Sequence, residues 1–483
     1  KLKADFEYQF GVSQAPKRLD MMDAAQYRIL FFEYTIRALL NNPLLIPDGE
    51  ISATNLGSFV SRESLETWYN DLVALRETAE ANGDSEITYA FPNDDQITIS
   101  TNNPIFRINY DTDWHDRAFR TGISQKGNLN LSGGSGSQKV FANINYLNQE
   151  GILIGNSYER FGGRLNLNSE WSDRISSNVS VGYARTANNK VPDEANDGNP
   201  VQMVLLPPAD ESDPDNDYIL RVRSSEYNPE TEIYGSTFLE TTNRLNANAS
   251  VNVDLTDDLI LSVDGGLDYL DLRDESQQGP ATQEGTPTGF SQLSTAEVVN
   301  YLFNGSLNYD KAIGDNQLNV LVGTSYQNSN SLYTYRSARI NSIESLETLD
   351  ESNPSLLTLP VPGSAFAFLS FFGSVGYEIQ NKYSIEVNAR ADGSSRFSED
   401  NQFGVFPAIG AGWTISNESF LNGNSSVSFL KLDASFGLLG NTPFDDFLYR
   451  TNYFNVLYGN NNGIRISNLA NSQLRWESTQ QLD

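Results

Sequence analysis

At 483 residues the chain is longer than one ordinary soluble domain, but one large barrel with elaborate loops accommodates it. Lys+Arg 32 against Asp+Glu 62 gives a formal net charge of −30, an acid excess that leaves few basic patches and speaks against nucleic-acid binding. The lack of cysteine excludes disulfides and thiolate sites, and the single histidine, His115 beside Trp114, leaves Ser-His-Asp catalysis and histidine-rich metal sites almost without material.

In chain order, Lys1 to Val12 reads as a strand: Leu2, Ala4, Phe6, Tyr8, Phe10 and Val12 share one face, and Lys1, Lys3, Asp5, Glu7 and Gln9 the other. The chain opens inside this strand with no basic or apolar leader ahead of it, so the sequence is expected to continue in front. A long insertion, residues 13–126, follows. Asp20 to Asn41 and Ser61 to Ala81 have helical spacing within it.

Alternating segments then recur at 128–133, 139–148, 159–169, 174–185, 244–255, 259–271, 298–309, 317–327, 368–377, 383–392, 404–415 and 429–438. With the first strand and a segment still alternating at Leu474 to Asp483, the expectation is about thirteen strands and an unfinished one. In the best of them Tyr383, Ile385, Val387 and Ala389 point one way, and Ser384, Glu386, Asn388, Arg390 and Asp392 the other. Alternation alone leaves a soluble sandwich and a membrane barrel both open.

The connections decide between them. Ser135 to Gln138, Ser172 to Arg174, Thr256 to Asp258, Asp310 to Asn316 and Glu378 to Lys382 are tight turns, whereas Thr186 to Thr242, Arg273 to Glu297, Asn328 to Ala367 and Gly440 to Gln473 read as long polar loops. A transmembrane antiparallel β-barrel, with one rim of short turns and one of long loops, explains that alternation. Tyr146, Tyr183, Tyr269, Tyr309, Tyr326, Tyr377, Trp171 and Trp413 fall at predicted strand ends in phase with the oily face, where amphipathic rings meet lipid headgroups. Mean hydropathy is −0.42, and no apolar run approaches the roughly 20 residues of a membrane helix, a test that barrel strands evade.

Few motifs carry chemistry. Asp213-Pro-Asp-Asn-Asp217 starts like a calcium loop, but Tyr218 stands where glycine belongs and Ser224 where the bidentate glutamate belongs, so a solvated acidic loop is the better reading. Ser132-Gly-Gly-Ser-Gly-Ser137 is a hairpin turn without the helix and lysine of a phosphate cradle. The inward row Glu386, Asn388, Arg390 and Asp392, continued by Arg396, supplies the lumen-lining and substrate-contacting candidates, with charge pairing across strands favoured over solute contact. No nucleophile-base pair or metal constellation survives, so no enzyme, cofactor or metal is expected.

Several motifs together resemble SusC/RagA-type TonB-dependent transporters: Asp113-Trp114 with Phe119-Arg120, Leu131-Ser-Gly-Gly134, Tyr146 to Ile152 with Tyr158-Glu-Arg160, Ala391-Asp-Gly-Ser-Ser-Arg-Phe397, Phe406 to Trp413 and Glu418-Ser-Phe420. The resemblance implies an outer-membrane barrel of about 22 strands when complete, of which roughly the first 13–14 lie here, with residues 13–126 as the first extracellular loop. The plug domain and TonB box of that family, and the last third of its barrel, are expected to lie outside these residues. It further implies import of oligosaccharides or oligopeptides, a SusD-like surface lipoprotein as partner, and energy coupling through TonB, ExbB and ExbD. A siderophore- or vitamin-type receptor, a passive porin and a soluble all-β adhesin remain the alternatives.

Overall fold

In the computed structural model the described residues are 2–16, 20–27, 29–30, 32, 62–90, 96–101, 113–191, 233–280, 282, 285–339, 356–421, 427–458 and 461–483. Strand β1 (Lys3–Ser13) is followed by helix α1 (Arg62–Asn82), the hairpin β2 (Glu86–Ala90) and β3 (Gln96–Ser100), and the short helix α2 (Trp114–Ala118). Then come β4 (Gly122–Gly134), β5 (Gln138–Glu150), β6 (Ser157–Ser172), β7 (Ile175–Asn189), β8 (Ser236–Thr256), β9 (Leu259–Gln278), β10 (Phe290–Ile313) and β11 (Asn316–Ala338). The chain continues through β12 (Leu357–Ile379), β13 (Tyr383–Ser394), β14 (Phe403–Thr414), β15 (Lys431–Asn441), the hairpin β16 (Asn452–Tyr458) and β17 (Asn461–Asn468), and β18 (Glu477–Leu482).

Fourteen of these strands form one sheet in sequence order, β1, then β4 through β15, then β18, with antiparallel neighbours throughout. All fourteen alternating segments read from the sequence are members of it. The two hairpins, β2–β3 and β16–β17, were not expected. The segment between β1 and β4 is 14–121, and within it the reading of a helix over Ser61 to Ala81 matches α1. Of the other predicted helix, residues 24–27, 29–30 and 32 are helical, and half of its length lies outside the described residues. So does the acidic loop Asp213 to Asp217.

The sheet buries little. Among the described residues the buried apolar side chains, such as Phe32, Tyr69, Leu72, Trp114 and Phe397, lie outside the fourteen-stranded sheet, apart from Leu293 and Ala338 near the long-loop ends of β10 and β11, while the oily sheet face stands open: Val387 is 47% exposed, Ile409 51%, Phe371 52% and Val322 55%. A sandwich would cover these side chains with a second sheet; a barrel in lipid leaves them bare in the isolated chain. No helix among the described residues is long and apolar enough to cross a membrane.

Two sequence expectations change at the long-loop rim. Strands β8 to β12 are 21, 20, 24, 23 and 23 residues long, far beyond the roughly 9–11 residues that cross a bilayer. The loops read as Arg273 to Glu297 and Asn328 to Ala367 therefore shrink to 279–289 and 339–356, their flanks being strand. The aromatics explain where lipid ends. Tyr309 pairs with Leu259, and ten residues further along β9, on the same face, stands Tyr269. That is roughly 34 Å along the strand, or ~26 Å at a tilt of about 40°, close to the apolar band of outer-membrane barrels. Tyr326, Tyr301, Tyr183 and Tyr146 thus mark the outer limit of the band within the strands, not at their ends, and Tyr301 and Tyr326 lie 6.4 Å apart.

Candidate functional site

Paired residues of an antiparallel ladder share a face, so the register assigns the inner wall without ambiguity. Asn130 faces Asn143, Asn143 faces Arg164, Arg164 faces Gly182, Gly182 faces Asn246, and Asn246 faces Asp268. One strand register away, Asp264 faces Asn304, Asn304 faces Ser325, Ser325 faces Ser370, and Ser370 faces Asp392. Asparagine is depleted in ordinary strands; here its short amide carries hydrogen bonds from strand to strand. Asn143 donates to Asn128 Oδ1 at 3.0 Å and Asn130 Oδ1 at 2.8 Å, and Asn145 donates to Asn143 at 2.9 Å. Arg244 forks onto Asp268 at 3.0 and 2.9 Å, with Asn246 on the same carboxylate. The wall is polar, amide-rich and held by its own hydrogen bonds.

The five sequence candidates separate into three environments. Glu386 and Asn388 stand in the inner row with no side-chain hydrogen bond or ion pair among the described residues, flanked by Gly376 and Ser374 on β12 and by Gly410 and Ala408 on β14. Arg390 lies along the wall, bonded to Asp392 at 2.5 Å and Ser370 at 2.9 Å, with its guanidinium over the Phe372 ring at 5.7 Å. Arg396 is apart from these, in the connection after β13. It pairs with the buried Asp446 at 2.7 Å and stacks on Phe366 at 4.4 Å.

That last pair belongs to a set of latches built from the motifs quoted above. At the long-loop rim Phe397, fully buried, packs with Trp476 at 5.5 Å and Phe444 at 6.5 Å. Phe406 meets Trp476 at 5.3 Å, and a side chain at Gly440 would enter the Phe406 ring, which explains the glycine there. On the other side of the wall Asp113 caps α2 by accepting from the amides of His115 and Asp116. Trp114 and His115 are buried, and Arg120 donates to the carbonyls of Gly151 at 3.1 Å and Asn156 at 2.7 Å, tying α2 to the β5–β6 connection. At the short-turn rim Glu418 accepts from Tyr383 at 2.5 Å and Trp413 at 3.2 Å and pairs with Lys382 at 3.1 Å. Those hydrogen bonds, from Tyr383 first, then Lys382 and Trp413, lower the Glu418 carboxyl below its ordinary pKa.

Sequence reading missed the partners, Asp446, Trp476, Phe444 and the Gly151 and Asn156 carbonyls. Each sits 30 or more residues from the group it holds, and a lone aspartate in a polar loop carries no signal. Four tyrosines suited to stacking lie in strands toward the long-loop rim: on β11 Tyr333 is 36% exposed and Tyr335 half-buried, and on β16 Tyr453 is 62% exposed, while the Tyr458 side chain lies outside the described residues.

No family model matches the sequence. A TonB-dependent receptor of Formosa agariphila is 27% identical over 392 residues, covering 77% of this chain and 38% of that protein. The TonB-dependent receptor SusC of Bacteroides thetaiotaomicron is 28% identical over 370 residues, covering 70% of this chain and 36% of its own length. The chain thus spans less than two fifths of the curated relatives it matches. Among solved structures the RagAB peptide transporter aligns over 100% of this chain and 52% of that chain with a TM-score of 0.65 at 20% identity. The RagAB peptide importer in its closed-closed state gives 0.67 at 21%. The resemblance to SusC/RagA-type TonB-dependent receptors is borne out, and the sheet is the wall of an outer-membrane β-barrel.

Proposed function

We propose that the protein containing this chain imports oligosaccharides or oligopeptides across the outer membrane, with energy supplied by TonB, ExbB and ExbD and a SusD-like surface lipoprotein as lid. The observation that carries this reading is the two-rimmed wall: an oily outer face bounded by tyrosines, an inner face of amides and charges, and strands projecting past the lipid on the long-loop side alone. A simple pore requires no such projection, whereas a transporter that receives large polar cargo from a docked lid does. The relatives support it through what their names state, TonB-dependent receptor for the curated proteins and peptide transporter for RagAB. Those relatives are receptors and transporters. We assign the segment between β1 and β4 to the first external loop of the barrel, and Glu386, Asn388, Arg390 and Asp392 to the lumen wall. Arg396 we assign to holding the rim instead.

Purification of the intact protein in mild detergent tests the partner, and growth tests the cargo. A lipoprotein encoded beside this gene is expected to co-purify, and deletion of either gene should abolish growth on one glycan or peptide mixture. A barrel that purifies alone, with growth lost only under iron or cobalamin limitation, overturns the reading.

A further inference from the structure

The inner wall carries a positive concavity that the chain's composition does not lead one to expect. It holds about 460 Å³ between β5 and β8 and is lined by Arg160, Arg164 and Arg244, by amides including Asn143 and Asn246, and by Ser180, with no aspartate or glutamate on its lining among the described residues. Acids outnumber bases nearly two to one in the sequence, so three guanidinium groups without a lining carboxylate are a departure in need of a cause. Arg244 is neutralised from beside the cavity by Asp268. Arg164 bonds only to neutral groups, Asn166 at 3.1 Å and Ser180 at 3.2 Å, and Arg160 makes no side-chain hydrogen bond or ion pair among the described residues. The two lie on the same face of β6 with Gly162 between them, roughly 14 Å apart along the strand. Gly162 has no side chain, and the Asn145 amide lies over it, its Oδ1 2.9 Å from where a Cβ would stand, so the floor between the two guanidinium groups is an amide.

We propose that this concavity is a binding station for an anionic group, a carboxylate or a sulfate, carried by the cargo. The inference rests on the importer reading above and narrows it to cargo bearing negative charge. A guanidinium offers a planar fork of donors that fits such oxyanions two bonds at a time, and bonds to charged groups are about twice as strong as neutral ones. The surrounding amides supply both donors and acceptors for the uncharged remainder of a sugar or a peptide backbone. The volume falls within the range of ordinary ligand sites, about 300–1,000 Å³. An adjoining concavity shares Arg164, Ser180 and Asn248 but adds Asp264, so an anion is directed to the Arg160 end.

The test uses the intact protein in detergent with three probes: tetragalacturonate, its neutral methyl ester, and tetraglutamate. Calorimetry should show tetragalacturonate binding roughly tenfold or more tighter than the ester, as expected for charged hydrogen bonds, with R160Q/R164Q erasing the preference. Binding of tetraglutamate alone among the acids supports a peptide source, and of tetragalacturonate alone a glycan source; both support recognition of the anion itself. Measurable and equal binding of tetragalacturonate and its ester, or a preference for an acid that survives R160Q/R164Q, overturns the proposal. So does binding of no probe together with a lower unfolding temperature of R160Q/R164Q, which would mean that the arginines meet an acidic part of the same protein. Should that variant not fold, R160K/R164K keeps the charge and must keep the preference. Failure of the importer reading would show separately, as unimpaired growth of the deletion strain on every glycan and peptide mixture.

Discussion

Glu418 illustrates how one side chain ties a rim together. Its carboxylate gathers a phenol, an indole and an ammonium from β13, its preceding turn and β14, and the Tyr383 and Trp413 rings stack at 6.5 Å beside it. A carboxyl whose pKa is lowered on folding contributes stability that is full above its unfolded pKa, about 4.3 for glutamate, and is lost as pH falls through the lower folded value. The folded band on semi-native gels should therefore weaken as pH falls below about 4.3 in the natural protein, and E418Q should flatten that part of the profile; an unchanged profile would mean that Glu418 does not set it. Arg396 makes the opposite kind of contact, an ion pair in which Asp446 is 7% exposed and Arg396 21%. Removing one partner of a buried pair strands the other, at a cost of about 3 kcal/mol. R396A is expected to expose segment 442–476 to protease while the strands stay folded, and R396K to rescue it only in part, because an ammonium cannot both fork onto Asp446 and stack on Phe366.

At the scale of the strand, alternation is the informative quantity. Val387 faces out and Asn388 faces in, one residue apart on β13 and paired with Val375 and Ser374 across the ladder. An arginine on the lipid face at mid-membrane costs about 2–4 kcal/mol, whereas one in the lumen stays hydrated. V387R should thus lower the yield of folded barrel much more than N388R, and equal yields would sink the inside-outside assignment. The same quantity explains what sequence reading reached. Between the tyrosine rows one face meets lipid and the other water, so the period of two is strong and every sheet strand is legible. Beyond them both faces are wet, as where Asp271, Arg273 and Glu275 stand on β9, and the contrast that identifies a strand disappears. Those extensions read as loops although their backbone remains paired, with one register shift between β11 and β12 at Ser331 to Tyr333. The β16–β17 hairpin was hidden for a related reason, its sequence being rich in asparagine and glycine around the turn. Of the candidate site, the inner row on β13 follows from alternation, but the Arg160 and Arg164 concavity does not. It depends on which neighbouring strands carry amides and which carry acids, and that requires the register.

At the scale of the whole molecule the two rims make a claim about compartments. Five connections are tight: residues 135–137, 173–174, 257–258, 314–315 and 380–382, the last two helped by positive φ at Gly314, Gln380 and Asn381. Antiparallel order puts all five at one end of the sheet, together with the Arg174–Asp257 and Lys311–Asp258 pairs that join neighbouring turns. The opposite end carries the projecting strands, the latched loops and the β16–β17 hairpin. In outer-membrane barrels short turns face the periplasm and long loops the exterior, which puts the first end in the periplasm and the second outside. These 483 residues contain no cysteine, and the unsubstituted protein labelled in parallel gives the background for single introduced thiols. Asp257 side chain is 94% exposed in its turn, and its ion pair is open to solvent and worth little, so D257C should fold normally. Asp400 is exposed in the connection between β13 and β14 at the other end. An impermeant maleimide is expected to label D400C in intact cells and D257C only after the outer membrane is opened. The reverse pattern would invert the orientation. Equal labelling of both in intact cells would mean that the sheet does not separate two compartments, and the membrane-barrel reading would fall with it.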